Sequence, residues 1–169
     1  SEHGIEGVVV VCITAHPGHA LRAQIGKRHG QQSLAQALAK RSDEELLCKR
    51  PDPQIMTAAI RGISQATAPQ LRREMLEKIL HLELARRSDI LAAIAGRAWE
   101  SLADEPLRRL FLQRLAENDQ GQGFFNNLLA DLLYLPATHQ RMLDSLRDPR
   151  RSQVLGEAIG RFFSALRQV

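Results

Sequence analysis

From residue 51 onward the chain is punctuated by short polar residues standing just ahead of proline: Asp52-Pro53, Thr67-Ala68-Pro69, Asp104-Glu105-Pro106 and Asp148-Pro149. Asp and Thr side chains can accept the backbone N–H groups that a helix leaves without partners in its first turn. Proline is tolerated in that turn because its missing N–H had no intrahelical acceptor. Each pair is therefore a helix-start signal, and each precedes an apolar run at helical spacing. A chain restarted this often builds short elements. The punctuation predicts an all-α fold, a single-domain bundle of about seven to eight short helices.

The apolar runs give each helix an inward face. Ile55, Ala59, Ile60 and Ile63 follow Pro53. Leu71, Met75, Leu76, Ile79, Leu80, Leu82 and Leu84 follow Pro69, a face broad enough to predict a central helix. Ser88 or Asp89 restarts the chain, and Leu91, Ile94, Ala98, Trp99 and Leu102 form one stripe. Leu107, Leu110, Phe111 and Leu115 come after Pro106, before the flexible Asp-Gln-Gly-Gln-Gly stretch at 119–123. Phe124, Phe125, Leu128, Leu129, Leu132 and Leu133 make a nearly all-apolar helix closed by Pro136. Thr138 is expected to cap a short helix through Met142, Leu143 and Leu146. Pro149 is expected to open the last helix, with Leu155, Ala158, Ile159, Phe162 and Leu166 inward.

The first thirty residues differ. They hold four of the six histidines and the run Val8-Val9-Val10-Val11-Cys12-Ile13. β-branched residues without a 3.6-residue period predict a short strand or extended arm. The expected division is an extended or flexible N-terminal arm over 1–18 and a helical domain over 19–169. Leu21 and Ile25 share a helical face that Gly30 can end, and Ser33 starts another. Ser42 and Glu45 match a capping box, in which each side chain satisfies the other's backbone N–H.

Aromatic residues are only 4% of the chain, so Leu, Ile and Ala must fill the core. Two cysteines, Cys12 and Cys48, are too few for a disulfide framework. No apolar stretch reaches the roughly 20 residues of a membrane span. The valine run lacks the basic leader of a signal peptide. The expectation is a soluble, cytoplasmic protein with no membrane partner.

Three sets of residues are candidates for function. Cys12, His16 and His19 are good zinc ligands around a Pro17-Gly18 turn, with a fourth ligand to come from His3, His29, Cys48 or water. Zinc is the one cofactor the chain suggests; otherwise none is expected. Seven basic doublets form the second set, and Lys40, Arg41, Lys49, Arg50, Arg72 and Arg73 are its candidates for phosphate contacts. Doublets at helix C-termini also complement the helix dipole, and neighbouring acids can neutralise several. A helix-turn-helix over 33–50 would present Asp43, Glu44 and Glu45 where base-reading residues belong, which repels phosphate. Scarce aromatics argue against base stacking.

The third set is an apolar partner surface: Phe124, Phe125 and Leu128, with Gly156, Gly160 and Phe163 on the last helix. Glycine inside a helix costs about 1 kcal/mol relative to alanine, so a close helix–helix approach would explain the pair. No phosphate-binding glycine loop, Ser-His-Asp set or reactive-cysteine motif is present. Glu74, Glu77, His81 and Glu83 miss the Glu-x-x-His spacing of di-iron helices. The leading expectation is a non-enzymatic helical protein-interaction module: an adaptor, chaperone-like factor or regulatory subunit that binds a protein partner or itself. The alternatives are a nucleic-acid-binding transcriptional regulator and a metal-dependent enzyme or sensor.

Overall fold

The polar–proline pairs turn out to do different work. In the computed structural model, the described residues are 51–64 and 68–167, with Gln36, Ala37 and Lys40 as isolated helical positions. They form seven α-helices: α1 (Pro53–Ser64), α2 (Pro69–His81), α3 (Ser88–Arg97), α4 (Glu105–Ala116), α5 (Gln122–Tyr134), α6 (Pro136–Arg147) and α7 (Gln153–Leu166). Short 3-10 turns at Glu83–Arg86 and Trp99–Ala103 flank α3. The fold is all-α, with no strand among the described residues. The expected arm over 1–18, and the helical starts at His19, Ser33 and Ser42, lie outside the described residues.

Asp52 and Asp104 act as the sequence predicts. Asp52 Oδ1 accepts the Gln54 N–H at 2.8 Å to start α1, and Asp104 Oδ1 accepts the Leu107 N–H at 3.1 Å to start α4. Pro69 opens α2 behind Ala68, whose side chain caps nothing.

Asp148-Pro149 does not open α7. Asp148 ends α6, and its carboxylate takes the Arg150 N–H at 2.9 Å, folding the chain into a turn. Such an Asx turn competes with helix for the same backbone donors. The cap of α7 is Ser152, whose hydroxyl accepts the Leu155 N–H at 3.2 Å. Nor does Thr138 cap α6, which starts at Pro136. Its hydroxyl donates backward to the carbonyls of Leu132 and Leu135, satisfying the end of α5.

The central helix is α4, not α2. It packs against α2, α3, α5, α6, α7 and both 3-10 turns. α2 keeps a solvent stripe of Gln70, Glu74, Lys78 and His81. Its apparent breadth arises because the chain turns extended at Leu82 (ψ 152°), so Leu84 belongs to the next turn. The stripe from Leu91 to Leu102 is likewise split where α3 stops at Arg97.

One continuous core joins all seven helices, with Ile60, Leu76, Ile94, Leu102 and Phe111 at 0% exposure. Aliphatic residues dominate it, as the scarcity of aromatics requires. Each buried Leu, Ile or Phe contributes about 1.5–3 kcal/mol relative to an exposed one. No helix among the described residues is long and apolar enough to cross a membrane.

Candidate functional site

The basic doublets of the described region are mostly structural. Arg72, with 13% of its side chain exposed, donates from Nη1 to the Ser64 carbonyl at 3.2 Å and lies 3.7 Å from Glu100. Arg73 lies 3.2 Å from the capping carboxylate of Asp104 and 3.5 Å from Glu77. Arg86 pairs with Glu83 at 2.7 Å and Glu117 at 3.0 Å, and Arg87 grips Asp89 with two nitrogens. Of the other phosphate candidates, Lys40 is exposed on a helical position. Arg41, Lys49 and Arg50 lie outside the described residues, as do Cys12, His16 and His19. Among the described residues no group of three or more His, Cys, Asp or Glu is placed to hold a metal ion.

A lone arginine that sequence patterning passed over is also structural. Arg114 donates from Nε to the Leu80 carbonyl at 2.8 Å and from Nη2 to the His81 carbonyl at 3.2 Å, closing the end of α2. Its Nη1 also bonds Glu117 at 3.0 Å. Burial opposes the charge on Glu117, but hydrogen bonds from Gln113, Arg114 and Arg86 outweigh that cost and hold its carboxyl below the usual range.

The remaining doublets converge on a cleft of about 430 Å³ between α4, α6 and the turn before α7. On one side, Arg109 and Arg150 share Asp148 and Glu105: Arg109 lies 3.0 Å from Asp148 and 2.7 Å from Glu105, and Arg150 lies 3.1 Å from Asp148. The Arg150 side chain first, then its backbone N–H, hold the Asp148 carboxyl below its ordinary value. Arg108 is only 6% exposed. It donates to Ser145 Oγ at 2.7 Å and to the carbonyls of Leu102 and Ala103 at 2.8 and 3.1 Å. Burial lowers its pKa. Sequence reasoning read Arg108-Arg109 only as a doublet; helical spacing puts neighbours on different faces, which was the available signal.

The apolar candidates divide. Phe125 lies in the core at 1% exposure, and Phe124 and Leu128 pack half-buried against it, so these three are spent inward, whereas Tyr134 at the end of α5 is 88% exposed. On α7, Val154, Phe163 and Leu166 remain 45%, 39% and 58% exposed. Phe163 packs edge-on against buried Phe162 at 5.3 Å, which holds its ring at the surface. A Cβ on Gly160 would meet nothing within 4 Å, and one on Gly156 would meet only the Arg151 side chain, at 3.5 Å. Among the described residues, then, no helix approaches either glycine.

Fold and surfaces together define the class: an all-α bundle around one central helix, with an arginine-lined cleft and one helix edged by exposed apolar residues. The chain belongs to the DUF3549 family, proteins of unknown function, whose model matches residues 11–163. Neither a curated protein nor a solved structure matches it.

Proposed function

We propose that the chain is a non-enzymatic helical interaction module, an adaptor or regulatory subunit, that engages a protein partner or a second copy through α7. The observation that supports this is the exposure of Phe163 and Leu166, three residues apart at the end of a helix whose Leu155, Ala158, Ile159 and Phe162 are committed to the core. Neighbouring large apolar side chains left in water, as at i and i+3 on one helix, mark an interaction face. Phe163 and Leu166 are the natural anchors, because truncating a few apolar anchors removes most of an interface's energy.

The test is Phe163→Glu with Leu166→Glu in the full chain, followed by light scattering over a concentration series and photocrosslinking from position 163. The expected wild-type result is a concentration-dependent dimer or a single crosslinked partner. The variant should lose it while unfolding at the same urea midpoint. A wild-type chain that stays monomeric and forms no crosslink from position 163 overturns the proposal.

Regulation through nucleic acid rests on Lys40, Arg41, Lys49 and Arg50, since Arg72 and Arg73 are held by carboxylates and a carbonyl. Metal chemistry rests on Cys12, His16 and His19. Neither reading draws support from the described residues.

A further inference from the structure

The cleft between α4 and α6 is unevenly charged, and the imbalance is local. Arg109 and Arg150 are neutralised by Asp148 and Glu105. Three more arginines, 108, 147 and 151, line the same cleft with no carboxylate at ion-pair distance among the described residues. Asp144, the remaining acid of the lining, takes the Gln140 amide at 3.0 Å instead. Five guanidinium groups therefore face three carboxylates, a surplus of two positive charges.

Arg108 makes this more than a solvated surface. A guanidinium that is 6% exposed has lost most of its hydration, which is costly without a counter-charge. Two of its nitrogens are committed, Nε to Ser145 Oγ and Nη1 to the Leu102 and Ala103 carbonyls. Nη2 makes no hydrogen bond to the described residues and is not one of their buried unpartnered atoms, so it reaches the solvent of the cleft. The Ser145 oxygen is already an acceptor for Arg108, so its own O–H remains to be donated. Arg151 is anchored only by Nη1, which donates to the Asp148 carbonyl at 3.0 Å. The exposed Arg147 stands at the end of α6.

We infer that this cleft binds the phosphoryl group of a small molecule, held by Arg108 Nη2, the Ser145 hydroxyl, Arg147 and Arg151. Guanidinium forks match phosphate oxygens, and such charge-assisted bonds are roughly twice as strong as neutral ones. A dianionic phosphoryl group matches the surplus of two charges. Its three terminal oxygens also use more of the four donors than a planar carboxylate's two. The inference is independent of α7, which the variant above tests separately.

The experiment is calorimetric titration of the full chain with inorganic phosphate and with pyrophosphate, in chloride at fixed ionic strength. Parallel arms use succinate and a short mixed-sequence DNA duplex. The expected result is saturable one-to-one binding of phosphate or pyrophosphate with a Kd of about 1 mM or tighter. Arg147→Gln with Arg151→Gln, two exposed positions, should weaken it ~10-fold or more while leaving the urea midpoint in chloride unchanged. Absence of saturable heat overturns the inference, as does equal affinity in the double variant. Succinate binding as tightly as phosphate, or binding of the duplex alone, also overturns it.

Discussion

At the scale of single residues, the arginines act more as backbone caps than as surface charge. Arg108 and Arg114 between them satisfy four carbonyls at the ends of a 3-10 turn and of α2. Arg108→Ala strands two of those carbonyls and opens space beside α6. It should cost about 2–4 kcal/mol in urea unfolding, whereas loss of a surface pair is typically below 1 kcal/mol. Glu117 gives a pH signature. Its folded carboxyl lies below the ordinary 4.5, so the stability it confers is fully present above that value and is lost as pH falls through the depressed folded pKa. Asp148 adds to the same acid limb from below an ordinary 3.8. The thermal midpoint should therefore fall progressively once the pH drops below about 4.5. Glu117→Gln should lower the midpoint at neutral pH and flatten its descent in acid, as calorimetry across that range would show.

At the scale of elements, the boundaries legible in the sequence are those whose caps are local. Asp52 and Asp104 bond donors two and three residues on, and both are visible as pairs with proline. Ser152 is equally local, but the stronger proline signal at 149 places the boundary four residues early. The start of α3 at Ser88 was legible from Ser88-Asp89, but not the carboxylate that holds it: Asp119, 31 residues away, accepts the Ser88 N–H at 3.0 Å. Asp119→Ala should cost about 1 kcal/mol and speed hydrogen exchange at the Ser88 amide. Asp104→Ala should cost more, because that side chain both caps α4 and pairs with Arg73. Gly121 sits at φ 78°, where a side chain is strained, so Gly121→Ala should destabilise by about 1 kcal/mol despite the open space around it.

For the whole molecule, helical class and apolar faces followed from periodicity, but the hub did not. Counting apolar positions favoured the stretch after Pro69, whereas α4 is central because neighbours surround it on every side, a property of the packing alone. The candidate sites show the same limit. A net charge of +4 says nothing about where positive charge is left over; among the described residues, Arg108, Arg147 and Arg151, each without a carboxylate at ion-pair distance, meet in one cleft. The apolar surplus of α5 was real in sequence yet is absorbed by the core, while that of α7 is not.

The Asp119 contact also bears on how the chain can be cut. The backbone N–H of Asp119 donates to the Arg86 carbonyl at 3.0 Å while its carboxylate holds Ser88, so the connection before α5 is clamped at both ends of one residue. A protease nick just after it would leave the first fragment with that clamp intact and the second with α5 to α7. Two such pieces, expressed separately, should reassemble into the same bundle, because Asp119 keeps the end of the first piece in its native place and α3 and α4 still pack against α5, α6 and α7 across the break.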